Sequence, residues 1–123
     1  ENYVSLREKL KSTPVFDIQD LNSRLMEDHD IIAELLTGAM EDIPEQIDNL
    51  GSLLDKKNKE KIEIQAHTIK GTAANMGGIY QKKIAGEIEE AGREENLDLA
   101  QELYPEMQKQ FEILKKAVEK YLK

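Results

Sequence analysis

The chain of 123 residues contains two histidines, His29 and His67, and no cysteine. Disulfides, thiolate zinc sites and thiol nucleophiles are therefore excluded, and imidazole chemistry must come from one of two positions. His67 has Lys70 three residues on and Gly71 four residues on, and such neighbours lie side by side on a helix. An ammonium there suits a group that acquires negative charge on the imidazole, and the glycine leaves space for whatever delivers it. The chemistry this spacing points to is reversible attachment of a phosphoryl group brought by another protein. A solvated His–Lys pair accounts for the same residues, and Gly71 also fits helix–helix packing.

The elements that must position these residues read as helices almost throughout. Seven glycines and three prolines punctuate the chain, and β-branched alternation is nearly absent. A short amphipathic helix is expected from Tyr3 to about Lys11, closed by Ser12-Thr13-Pro14. A second runs from about Ile18 to Glu27 behind an Asp17 N-cap. A long third helix, about Asp30 to Asp55, carries one stripe of Ile32, Leu36, Met40, Ile43, Ile47, Leu50 and Leu54, with Pro44 expected to kink it. The fourth, about Lys59 to Met76, buries Ile62, Ala66, Ile69, Ala73 and Met76, and Gly77-Gly78 ends it. The fifth runs from about Ile79 to Glu94. The last, about Leu97 to Leu122, has Leu97, Ala100, Tyr104, Met107, Phe111, Leu114, Val118 and Tyr121 as its seam, with Pro105 near its start. The fold class is all-α: an antiparallel up-and-down four-helix bundle with one or two short additional N-terminal helices. Residues 1–15 form an N-terminal extension and 16–123 the bundle.

At about 100° per residue, the fourth helix turns His67, Gly71, Ala74 and Gly78 away from its buried stripe, with Ile64 one turn before His67. Exposed helix faces elsewhere in the chain carry Lys, Glu, Gln or Arg. A glycine inside a helix costs about 1 kcal/mol relative to alanine, so Gly71 on this face suggests a surface that another molecule approaches closely.

Composition narrows the partner. The formal charge is −8, which argues against nucleic acid and anionic membranes, since both are bound mainly by clustered Lys and Arg. No segment approaches the roughly 20 apolar residues of a membrane span. A protein partner is the natural expectation. His29, in Asp28-His29-Asp30, reads as part of a helix start. A metal role is not expected there, because a bound metal normally needs three or four convergent ligands. Neither histidine has a Glu three residues before it, as di-metal bundles require. The chain has no phosphate-binding glycine loop and no nucleotide-pocket motif.

The stretch Ala66-His67-Thr68-Ile69-Lys70-Gly71-Thr72-Ala73-Ala74-Asn75-Met76-Gly77 closely resembles the signature of histidine-containing phosphotransfer domains, a His-x-x-Lys-Gly core followed by small residues. The Phe16–Leu36 segment, Pro44-Glu45-Gln46, the Gly86–Arg93 run and Tyr104-Pro105-Glu106 are similar to the family as well, over about residues 16 to 122. The resemblance implies His67 as phospho-acceptor through Nε2 and Lys70 as the residue that steadies the phosphoryl oxygens. It implies Glu89 as the hydrogen-bond partner of the other imidazole nitrogen. Gly71 and Gly77 match positions that shape the helix and admit the partner, Arg93 a position that is basic in some members, and Thr72 a small polar position near the site.

The implied function is a multistep two-component phosphorelay. His67 takes a phosphoryl group from an aspartyl phosphate of a receiver domain and passes it to another receiver. No cofactor of its own is expected, with Mg²⁺ supplied by the receiver. Ile64, Ala74 and Gly78 would meet that partner, ringed by Lys82, Lys83 and Arg93. The chain begins at Glu1, which reads as a segment of a longer protein, such as a hybrid sensor histidine kinase. It is expected to be cytoplasmic, free or tethered through a membrane-bound kinase of that kind, and monomeric as an isolated domain. Alternatives are the N-terminal phospho-acceptor domain of a chemotaxis-type kinase, phosphorylated by a kinase domain in the same chain, and a helical docking module that is never phosphorylated.

Overall fold

The computed structural model describes residues 12–123 together with Glu8 and Leu10. The helix expected over Tyr3–Lys11 lies, apart from those two positions, outside the described residues. Among the described residues the chain forms five helices and no strand. They are α1 (Ile18–Arg24), α2 (His29–Asp55), α3 (Lys59–Asn75), α4 (Ile79–Arg93) and α5 (Leu97–Leu122).

Helices α2 to α5 pack in sequence, α2 on α3, α3 on α4 and α4 on α5, and α5 closes the ring against α2. The turns that reverse the chain are built alike. After α2, Lys57 N–H donates to Leu54 O and Asn58 N–H to Leu53 O; after α4, Glu95 N–H donates to Gly92 O and Asn96 N–H to Ala91 O. The same pair follows α3, from Gly77 to Ala74 and from Gly78 to Ala73. These bonds satisfy the last helical carbonyls and place one left-handed residue in each turn: Lys57 (φ 55°), Gly77 (φ 82°) and Glu95 (φ 60°). The following residue starts the next helix. Asn58 and Asn96 cap α3 and α5 by accepting from Lys61 N–H (3.3 Å) and Leu99 N–H (3.2 Å). Asn96, which follows the last turn of α4, therefore also opens α5.

Helices α2, α3 and α5 bury the stripes that their spacing predicts, with local exchanges. In α2 the fully enclosed set is Ile32, Leu36, Ala39, Ile43, Ile47, Leu50 and Leu54, and Met40 is only partly covered. In α5 Leu103 is buried and Tyr104 lies partly covered. Both α2 and α5 run without interruption through Pro44 and Pro105. Helix α1 stops at Arg24, three residues earlier than expected, because Met26 and Glu27 take left-handed φ values of 54° and 58°. The chain then restarts on Asp28, whose carboxylate accepts from Ile31 N–H.

Helix α1 is tied to the α3–α4 turn. Asp17 N–H donates to Gly77 O at 2.8 Å, and Arg24 Nη2 donates to Asn75 O at 3.1 Å. No helix among the described residues is long and apolar enough to cross a membrane.

Candidate functional site

The site lies where α3 and α4 run side by side. Their close approach is made by Gly92: a Cβ there would stand 3.1 Å from Glu63 N and 3.3 Å from Glu63 Cα. One turn away on α4, Glu89 is carried under the outer face of α3, where its side chain is 9% exposed. His67 stands above it with a side chain 67% exposed.

His67 Nδ1–H donates to Glu89 Oε2 at 2.8 Å. A carboxylate only accepts, so in the neutral ring the hydrogen resides on Nδ1 and the lone pair on Nε2. Lys70 Nζ lies 2.6 Å from the other carboxylate oxygen, Oε1, and Arg93 Nη2 lies 3.5 Å from Oε2. Burial pushes the Glu89 carboxyl up, but the hydrogen bonds and charges of Lys70 and His67 outweigh it and hold the group below its ordinary value. Glu89 is thus an anion beneath an exposed nucleophilic nitrogen. That arrangement orients the ring and stabilises positive charge developing on it.

The surroundings are stripped of bulk on the solvent side. A Cβ on Gly71 would meet nothing within 4 Å, and Ile64, one turn before His67, is 60% exposed. The Lys70 stem passes beside Gly86, where a Cβ would be in ordinary contact with Lys70 Cδ at 3.5 Å. Thr72 is half-buried, and its hydroxyl donates to Thr68 O (3.1 Å) and accepts from Gln46 Nε2 (3.2 Å). That side chain ties α3 to α2. Lys82 and Lys83 are exposed on α4, and Ala74 is half-buried.

The family model of the Hpt domain matches residues 34–118. The chain belongs to the Hpt domain family. Membership carries phosphotransfer as the function of this Hpt domain, and the all-helical bundle is the family's fold. Among solved structures, it is similar to histidine-containing phosphotransfer protein B (HptB) from Pseudomonas aeruginosa PAO1, with 26% identity and a TM-score of 0.83. That match covers 89% of this chain and 95% of the other. The X-ray structure of a rice protein shares the fold at a TM-score of 0.76 with 19% identity, over 94% of this chain and 87% of that one. No curated protein matches the chain.

Two glycines of the Hpt domain are placed differently from the sequence expectation. Gly78 was expected on the outward face with His67, but it is buried. A Cβ there would stand 2.9 Å from Met76 Sδ and 3.1 Å from Leu114 Cδ2. The reason is geometric: α3 ends at Asn75, so the rotation of 100° per residue no longer carries to position 78. Gly77 is buried too, in the left-handed turn, with its carbonyl bonded to Asp17. It shapes the helix end and offers no surface to a partner.

Three residues escaped the sequence reading. Glu63, on α3, accepts from Arg93 Nε at 3.0 Å. Gly92 sets the helix separation, and Gly86 lies beside the lysine's stem. Their signal was glycine within a helical pattern, but the side of α4 that each served depended on the register between helices. His29 takes its place near Tyr121 Oη, 3.4 Å from Nδ1, and no group of three or more potential ligands for a metal occurs among the described residues.

Proposed function

We propose that this Hpt domain is a phosphocarrier. His67 takes a phosphoryl group from the aspartyl phosphate of one receiver domain and passes it to another. The observation that carries this reading is the exposed imidazole with Nδ1 hydrogen-bonded to a buried carboxylate, which directs the free lone pair of Nε2 to solvent. The naming of the Pseudomonas relative as a histidine-containing phosphotransfer protein supports the same reading.

In the forward step Nε2 attacks phosphorus in line with the leaving carboxylate. The N–P bond forms, the P–O bond to the receiver aspartate breaks, and its electron pair departs with that carboxylate. The Nδ1 hydrogen stays in place, and Glu89 balances the positive charge left on the ring. Lys70 steadies the phosphoryl oxygens. Transfer of this kind depends mainly on positioning and charge stabilisation, and Mg²⁺ in the receiver's acidic pocket would supply the rest. Ile64, Gly71 and Ala74 form the face that the receiver meets, with Lys82, Lys83 and Arg93 at its rim. The reading extends to a relay within or beside a hybrid sensor histidine kinase in the cytoplasm.

The test is incubation with a radiolabelled phosphorylated receiver. Wild type should acquire acid-labile, base-stable label, and His67→Gln should acquire none. Label on His67→Gln, or none on wild type, contradicts the proposal.

A further inference from the structure

The buried Glu89 carboxylate has two cations at hand, and they are held differently. Lys70 sits on Oε1 at 2.6 Å. Arg93 reaches Oε2 with one nitrogen at 3.5 Å while its Nε is bonded to Glu63 at 3.0 Å. Glu63 is the dominant influence on the guanidinium, whose pKa it raises. Lys70 is therefore committed to Glu89 in the resting protein, and Arg93 is committed to Glu63.

On the reading given above, a phosphoryl group on Nε2 presents new anionic oxygens to Lys70, and charge-assisted bonds to phosphate are strong. An ammonium drawn to them leaves Oε1. The cationic ring stays on Oε2, but Oε1 loses its donor, and a buried polar atom left without a partner is disfavoured, so the move favours a replacement. Among the described residues, Arg93 is the other cation that pairs with Glu89. It sits one turn along α4, and its side chain is 57% exposed, which leaves it free to move.

We propose that phosphorylation of His67 drives an exchange of counter-ions on Glu89, in which Lys70 turns to the phosphoryl oxygens and Arg93 leaves Glu63 to take over the carboxylate. No covalent bond changes in this exchange, and the charges are only re-paired. Arg93 and Glu63 are positioning residues that act through Glu89 and Lys70 without touching the phosphoryl group.

The exchange predicts opposite signs for two neighbouring substitutions. Arg93→Gln leaves Glu89 dependent on Lys70 and disfavours the phosphorylated form. Glu63→Gln releases Arg93 to Glu89 and favours it. The measurement is the equilibrium ratio of phosphohistidine to aspartyl phosphate when the full chain is mixed with a receiver domain charged by acetyl phosphate. Expected changes are a fall of about fivefold for Arg93→Gln, a rise of about twofold for Glu63→Gln, and near-wild-type behaviour for Arg93→Lys, as coupling between contacting charges allows. In a Lys70→Gln background, Arg93→Gln should change the ratio little, because no lysine remains to be released.

An Arg93→Gln ratio equal to wild type overturns the exchange. So does a Glu63→Gln ratio that falls together with it, or an undiminished Arg93→Gln effect in the Lys70→Gln background, which would mean direct contact with phosphoryl group or receiver. A second readout needs no variant: the Arg93 Nε–H resonance should move when wild type is phosphorylated, and an unmoved resonance counts against the exchange. Failure of wild type to take label would instead sink the carrier reading, and the exchange with it.

Discussion

Two seams of the bundle, α3–α4 and α2–α5, are each shaped by a glycine, and they put the space to opposite uses. On the α3–α4 seam, Gly92 lets backbone approach backbone, and the gain is a carboxylate held under an exposed imidazole. On the α2–α5 seam, a Cβ on Gly51 would collide with the Tyr104 hydroxyl, and Tyr104 Cζ would lie only 2.9 Å from it. The glycine there admits an aromatic ring, whose hydroxyl donates to Ile47 O at 2.8 Å. One seam stores a paired charge that a partner can address. The other fastens two helices with a neutral phenol, beside an open groove lined by Asp48, Ser52, Asp55 and Gln101.

The sharpest way to break the first seam is Gly92→Val. Its new atoms would meet Glu63 main chain, which cannot yield without parting the helices, so unfolding in urea should show a loss of about 2–3 kcal/mol, within the usual range for overpacking. Transfer should fall as well, because Glu89 is drawn from His67. A variant of wild-type stability would show that the close approach matters little.

Gly71→Gln separates docking from folding on the same seam. The open space around Gly71 means that the protein should keep or gain stability, by up to about 1 kcal/mol from helix propensity. Transfer from a receiver should nevertheless slow by about tenfold, equivalent to about 1.4 kcal/mol in the barrier. Unchanged transfer would remove Gly71 from the partner's footprint.

On the second seam, Tyr104→Phe should cost about 1 kcal/mol, the net worth of one hydrogen bond, and leave transfer untouched. The two seams should also fail at opposite ends of the pH scale. The Glu89 carboxyl lies below its ordinary value in the fold. Its contribution is therefore complete above an unfolded value of about 4.3 and is lost as pH falls through the lower folded one. Burial, with Asp48 and Asp55 nearby, raises the Tyr104 phenol. Its contribution holds below about 10 and is lost as pH rises through the raised folded value. Urea titrations of Glu89→Gln and Tyr104→Phe against wild type check both: the first gap should close in acid, the second should change in alkali.

Much of the first seam was legible in the sequence because it lies on one helix. His67, Gly71 and Ile64 share the outer face of α3, and a rotation of 100° per residue suffices to bring them together. The same rule misplaced Gly78, because it was carried three residues past the helix end at Asn75. Pairings between helices were less accessible. Glu63 with Arg93, Gly86 with Lys70, and Tyr104 with Gly51 depend on the register between helices, which no period within one helix determines. Glu89 and its bond to His67 were reached by resemblance, and Lys70 and Arg93 as its other donors emerged only with the packed bundle. The Tyr104 case is similar. Its spacing placed it on the seam, while its hydroxyl needed the Ile47 carbonyl and so kept it partly exposed.

The central claim is that Glu89 holds the hydrogen on Nδ1 and thereby makes Nε2 the reacting atom. Its most direct test is ³¹P–¹⁵N NMR of the phosphorylated, ¹⁵N-histidine-labelled protein. A phosphorus coupling to Nε2 of His67, with Nδ1 still protonated, is the predicted result; coupling to Nδ1 would contradict it.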